Sequence, residues 1–495
     1  MSSPTTAAPN LDPEDWEAFR AASRRALDDM IDFLQTVRER PVWQQAPAEV
    51  VAEFRQPLPA KPQSLDEVVD DFSTLIRPYS VGNLHPLFMG WVHGAGTPVG
   101  MVAEMLAAGL NANCGGRNHI ALDVERQIAS WAAQLFDFPA EASGVFVTGT
   151  SAANHLALLV ARNASLGDEV RRDGLRDAGP QLVAYTSAEA HGCIKQAIEM
   201  AGVGSRFLRL IPVDPQGAMR ADLLAEAIAA DRAHGLRPFL VAGTAGTVNT
   251  GAFDDLDVLA EICRREKLWF HVDGAFGALV ALSPSLRPLI RGVARADSVA
   301  FDFHKWAHVP YDAGFLLVRD PERHRRTFSN PAAYLHRAPS GLAAGETWPC
   351  DLGPDLSRGF RALKTWFTFR VHGADKIGAC IEHTCRVAKH LEKRLIEHAN
   401  LFEVVAPVAL NIVCFGLRNS ADGELNKAVV IDLQERGVAA PSTTTIGGRE
   451  VIRAAIVNHR TTEDDIDTLV AALRDAALRV TLARMRRSEA DVPAI

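Results

Sequence analysis

The sequence predicts an α/β fold built on a mostly parallel sheet sandwiched between helices. Two patterns carry that prediction. Seven short apolar runs recur at residues 144–148, 182–186, 207–210, 239–244, 268–272, 298–301 and 314–318. Helical stretches at 152–161, 193–200, 221–230 and 256–266 separate most of them. Strands that are apolar throughout and alternate with helices are covered on both faces, which is the condition of a parallel sheet. No helix separates the last two runs, so the seventh strand is expected to run antiparallel. Ligands of such sheets sit beyond the carboxyl ends of the strands.

The flanking elements follow from local signals. Asp12-Pro13-Glu14-Asp15 reads as a helix start, with Asp12 as the cap and Pro13 in the first turn. Trp16, Phe19, Leu27, Met30, Ile31, Leu34 and Val37 then form one apolar face. A proline-rich stretch, 41–62, follows and offers that face little to pack on. The face is therefore expected to complete a subunit interface in a homodimer. Residues 65–76 read as a second amphipathic helix. Residues 85–98 are aromatic and glycine-rich, which suits a pocket lining or a packed turn equally. Residues 101–110 and 121–136 read as helices.

Beyond the sheet, 327–356 is rich in Pro, Gly and Ser and has the length of a lid. Residues 356–371 and 374–398 read as long helices. The tail alternates short strands (402–405, 412–415, 451–457) with helices at 424–436 and 463–482. The expected division is an N-terminal helical dimerisation segment, 1–100, a large domain, 101–373, and a small α+β domain, 374–495.

Whole-chain properties bound the function. A chain of 495 residues exceeds one typical core. Its 47% hydrophobic and 23% charged residues are those of an ordinary globular protein. A net charge of −8 argues against nonspecific nucleic-acid binding. No apolar run reaches membrane-spanning length, and the first ten residues lack the basic and apolar regions of a signal peptide, so a cytoplasmic location is expected. The seven cysteines include no Cys-x-x-Cys pair, which reads as reduced thiols. His304 and His308 share i, i+4 spacing, but Pro310 follows closely and no metal site is expected.

The chemistry concentrates at two strand ends. The sixth run leads into His304-Lys305-Trp306. Burial favours a neutral amine, and a neutral amine can attack a carbonyl. The fifth run ends in Asp273. A carboxylate and an amine at one edge of a parallel sheet are what pyridoxal 5′-phosphate (PLP) requires: the lysine for the Schiff base, the aspartate to keep the ring nitrogen protonated. Val147-Thr-Gly-Thr-Ser-Ala-Ala-Asn154 turns from the first run into a helix, where Thr150 and Ser151 offer donors to a phosphate. His191 follows the second run and either stacks on the cofactor ring or caps the next helix. Thr244, after the fourth run, could reach the cofactor or serve a turn. Ala275 is small enough to let a ring lie flat.

These motifs, with His85-Pro86, the 244–254 segment, His271-Val-Asp-Gly-Ala275, Ala296-Asp-Ser298 and Phe360-Arg-Ala-Leu-Lys-Thr-Trp366, resemble the PLP-dependent group II amino-acid decarboxylases. That family includes the aromatic-amino-acid, glutamate and diaminobutyrate enzymes. The likeness runs from about His85 to Trp366. It implies the fold type I architecture, a mostly parallel seven-stranded sheet, a homodimer with active sites at the interface, and decarboxylation of an L-amino acid to the amine and CO2. It assigns Lys305 to the Schiff base, Asp273 to the ring nitrogen, His191 to ring stacking and proton transfer, and Thr150 and Ser151 to phosphate. Thr244, Ala275 and His304 are the remaining candidates for cofactor contacts. His85, Phe88, Trp91 and His93 are substrate candidates, with an aromatic substrate favoured.

Three departures from the family pattern stand out. Asp302-Phe303 replaces Asn-Pro before His-Lys, and a carboxylate there repels phosphate unless it is protonated, paired or turned away. Ser151-Ala152-Ala153 replaces Ser-Glu-Ala. The lid stretch 345–351 lacks the tyrosine that protonates the intermediate, although Tyr334 lies earlier. Loss of that tyrosine is linked in relatives to aldehyde formation. The alternatives are therefore an aldehyde synthase, another fold type I lyase, a desulfurase using Cys350, or a noncatalytic binding protein. Arg361, Arg453 and His93 could meet a substrate carboxylate or serve structure.

Overall fold

The computed structural model describes residues 10–175, 179–330, 336–345, 347–420 and 423–490. Seven strands form the large sheet: β1 (Ser143–Val147), β2 (Leu182–Ser187), β3 (Leu208–Ile211), β4 (Arg237–Thr244), β5 (Trp269–Asp273), β6 (Ser298–Asp302) and β7 (Gly314–Val318). Their order is β1-β7-β6-β5-β4-β2-β3. β7 is antiparallel to both neighbours and every other pair is parallel. The expected architecture, including the reversed seventh strand, is the observed one.

Side-chain alternation explains why both faces are filled. Phe146, Phe315 and Phe301 lie on neighbouring strands in register. Their rings meet at 5.0 and 5.6 Å between centroids. On the opposite face stand the smaller Val145, Ala300 and Leu316, and the alanine-rich helix Thr150–Leu166 packs there. Bulky rings on one face and small residues on the other let that helix approach closely. Its first turn thereby reaches the carboxyl ends of the strands.

The tail forms a second sheet from β8 (Phe402–Val404), β9 (Ile412–Leu417), β10 (Ala440–Ile446) and β11 (Arg449–Ala455). A short strand from the N-terminal part, Phe88–Met89, pairs in parallel with β10 and joins this sheet. Neither that strand nor β10 was expected. β10 reads Ala-Pro-Ser-Thr-Thr-Thr-Ile, and its proline and hydroxyls hide it from an apolar pattern.

Several boundaries differ from expectation. Asp15, not Asp12, caps the first helix, Trp16–Gln35, accepting from the Glu17 and Ala18 amides. The stretch 65–76 is an α-helix only over Leu65–Asp71, and a π turn follows. The two long helices run as Arg361–Glu397, interrupted at Gly373 (φ 75°). Part of the expected lid is tied down: Trp348 is buried, Arg337 lies 3.3 Å over its ring, and the Cys350 amide donates to Gly115. Tyr334 lies outside the described residues. No helix among the described residues is long and apolar enough to cross a membrane.

Candidate active site

The carboxyl ends of β1, β4, β5 and β6 surround a cavity of about 390 Å³. Lys305 and Asp273 both open into it, as do Thr150, Ser151, His191, Thr244, Ala275 and His304. The eight cofactor candidates are thus brought together from across 156 residues of sequence. The substrate candidates divide. Trp91 and His93 line the cavity, but His85 and Phe88 do not. His85 is buried elsewhere, with Nδ1 accepting the Leu87 amide. Phe88 stacks behind His93 at 5.6 Å. The segment crosses directly over the lysine loop: at Gly94 a Cβ would fall 2.0 Å from the His304 carbonyl oxygen.

Asp273 ends β5 fully buried. Its Oδ1 accepts the Ala275 amide at 3.1 Å and its Oδ2 accepts from Asn154 Nδ2 at 2.9 Å. Asn154 sits one turn into the helix that begins at Thr150, so its amide faces the same strand ends. Its Oδ1 accepts from His271 Nε2 at 2.8 Å. His271 is two residues before Asp273 and so shares its face of the sheet. His271 Nδ1 lies 2.8 Å from Ser298 Oγ, which itself accepts from Trp269 Nε1 at 2.9 Å. One directed chain results: the indole donates to the hydroxyl, the hydroxyl to the imidazole, the imidazole to Asn154, and Asn154 to Asp273. Burial pushes His271 down to about 3, so it stays neutral, and burial pushes the Asp273 carboxyl above its ordinary value.

Lys305 differs from the expectation of a neutral amine. Burial opposes its charge, but the Asp302 carboxylate, 2.8 Å from Nζ, outweighs burial and raises the amine above its ordinary value. Asp302 also accepts the Thr150 amide at 2.7 Å. His304 Nδ1 accepts the Ala313 amide, which directs Nε2–H toward Asp302 at 3.7 Å.

Of the two roles the sequence left open for His191, the structure shows the cap, and the ring also faces the cavity. Its Nδ1 accepts the Cys193 amide at the start of the helix Gly192–Met200. Thr244 is fixed by Asp254, whose two oxygens take the Thr244 and Met219 amides. Arg453 serves structure: it donates to the carbonyls of Trp91, Val248 and Asn249. Arg361 pairs with Asp312 at 2.8 Å. Cys350 is not at the cavity. Cys193 is, but burial pushes its thiol up to about 12, which leaves it unreactive.

Sequence reasoning overlooked Asn154, His271 and Ser298 as site residues, and Tyr311. Asn154 carried a signal, being four residues after Thr150 on one helix. Tyr311 carried none: its ring packs 4.3 Å from His304 only because the chain folds back after Lys305.

The donor set fits PLP. A buried carboxylate without a contacting cation among the described residues suits a protonated ring nitrogen, and an amine opens into the same cavity. The helix N-terminus beside them carries the Thr150 hydroxyl, buried and without a partner among the described residues. An amine and a carboxylate so placed define a site for carbonyl-cofactor chemistry on amines.

Comparison with known proteins agrees. The pattern described as the pyridoxal-dependent decarboxylase conserved domain matches residues 47–418. An aromatic-L-amino-acid decarboxylase of Bacillus atrophaeus is 31% identical, over 94% of this chain and 97% of its own. A phenylacetaldehyde synthase of Arabidopsis thaliana is 29% identical over 90% and 93%. The structure of Oryza sativa TDC with PLP and tryptamine superimposes with a TM-score of 0.86 at 26% identity, covering 95% of this chain and 99% of that one. The chain belongs to the pyridoxal-dependent decarboxylase family and is a PLP-dependent amino-acid decarboxylase.

Proposed function

We propose that the protein decarboxylates an aromatic L-amino acid to its amine and CO2, with Lys305 carrying the cofactor. The observation behind this reading is that Asp273 and Lys305 open into one cavity that is also lined by the rings of Trp91, His93, Phe276 and Tyr311. Bound PLP supplies the conjugated ring that takes up the electron pair left on Cα when CO2 departs. Asp273 holds a proton at the ring nitrogen, and Asn154 aims that carboxylate. His191 supports the ring face, and its Nε2 is the ring nitrogen left for proton transfer. Thr150 and Ser151 hold the phosphate. The aromatic wall takes a flat side chain and excludes water from the reacting carbon. A homodimer fits the exposed Trp16 and Phe19 on the first helix.

A second reading, oxidative formation of an aldehyde, is supported by the absence of tyrosine from 345–351 and by the similarity to an aldehyde synthase. One assay separates the two. The protein with PLP is incubated with tryptophan, tyrosine, phenylalanine, DOPA and histidine, with Lys305→Ala as the blank. Amine and CO2 without peroxide support the first reading. Aldehyde, ammonia and peroxide support the second. Neither product set would overturn both.

A further inference from the structure

The Asp302 carboxylate is 2% exposed and commits both oxygens. Oδ1 accepts the Thr150 amide at 2.7 Å, and Oδ2 lies 2.8 Å from Lys305 Nζ. It therefore occupies, at once, the leading amide of the helix Thr150–Leu166 and the amine that must bond to the cofactor. We propose that Asp302 is a built-in anion that stands in for the cofactor's phosphate in the free enzyme, so that loading exchanges carboxylate for phosphate at the Thr150 amide. This rests on the reading of Thr150 and Ser151 as the phosphate donors.

Three observations support the exchange. One amide hydrogen cannot serve a carboxylate and a phosphate oxygen equally well. The adjoining Thr150 Oγ1 is buried with no partner among the described residues, although the carboxylate lies against the same residue's amide. A phosphate, with more oxygens, can take the amide and the hydroxyl together. Finally, two anions side by side in a buried site repel strongly, and the cation beside Asp302 is the same Lys305 whose nitrogen would bond to the cofactor. Two other titratable groups face this carboxylate, His304 at 3.7 Å and the Tyr311 phenol, and burial lowers the first and raises the second, which keeps both neutral.

The test uses the full-length apoprotein, pyridoxine 5′-phosphate (which lacks the aldehyde and cannot bond to Lys305) and pyridoxine, which also lacks the phosphate. Equilibrium dialysis gives both affinities for wild type, Asp302→Asn and Asp302→Ser, each checked for a cooperative melt. The expected result is that both substitutions tighten pyridoxine 5′-phosphate by about tenfold or more and leave pyridoxine within about twofold. Unchanged or weaker binding of the phosphorylated compound would overturn the proposal, as would equal tightening of both compounds. A separate control adds PLP to wild type. If it gives no visible band that Lys305→Ala abolishes, the reading of the site fails as well. A normal band without tightening in the variants sinks the exchange alone.

Discussion

β5 and β6 lie side by side, and each ends in a buried aspartate, yet the two strand ends are built on opposite principles. Asp273, ending β5, is met among the described residues by neutral donors: Asn154, the Ala275 amide and the Cys193 thiol. Asp302, ending β6, is met by the Lys305 ammonium and a helix N-terminus. A carboxylate surrounded by neutral donors keeps its field for an incoming cation, and burial makes that field strong. A carboxylate already paired has little left to offer. The pair of sites therefore divides the labour: β5 presents an unspent charge, while β6 presents an amine whose charge is masked until a ligand arrives.

The most severe way to break the contrast is Lys305→Ala. Activity should fall to background, and the lysine-dependent visible band with PLP should disappear, both readable in one spectrophotometric assay. Asp273→Asn comes next. Removing the unspent charge should cost roughly 10²–10³ in kcat/KM. The apoprotein should nevertheless melt at the same temperature or higher, because burial disfavours that carboxylate before a ligand binds. A fall in melting temperature would mean Asp273 is already compensated and the comparison is wrong.

Asn154→Ala is expected to be milder. It leaves His271 Nε2 without its partner and Asp273 Oδ2 with only the weak Cys193 thiol donor, at a cost of about 1–3 kcal/mol in denaturant unfolding. kcat should drop more than KM changes, since the carboxylate is misaimed rather than lost. The smallest effect sharpens the neutral character of the β5 end. His271 in the folded protein is lowered to about 3, whereas the unfolded chain binds its proton near 6.5. The unfolded state therefore gains a proton first on acidification. The stability contributed by neutral His271 is complete above about pH 6.5 and is lost as pH falls toward 3, by about 1.4 kcal/mol per unit. Urea unfolding of His271→Gln between pH 7 and 5 should show a shallower decline than wild type.

The fold was legible because its signals are local. Apolar runs of strand length, helices between them, and a missing helix before β7 each leave a trace within about twenty residues. The same holds for Lys305 and Asp273, which announce themselves at the ends of such runs. What escaped has no local trace. β10 hid behind threonines and a proline. His85 and Phe88 belong to the right segment, but that segment first joins the small sheet and only then crosses the cavity at Trp91 and His93. The helix start was misplaced by three residues because Asp12 and Asp15 carry the same capping chemistry, and only backbone geometry separates them.

By itself, then, the sequence determined the sheet, the order of the motifs and the two residues on which the chemistry turns. Periodicity and strand-end position are properties of contiguous chain, and contiguous chain is what a sequence displays. Tertiary structure alone decided the electrostatic state of those residues. It placed Asn154 between His271 and Asp273, 117 and 119 residues away in sequence. It set Asp302 against both Thr150 and Lys305, so that the lysine is charged where burial alone would have made it neutral. Distances of 2.7 to 2.9 Å between such remote atoms control proton affinity, and no linear pattern encodes them.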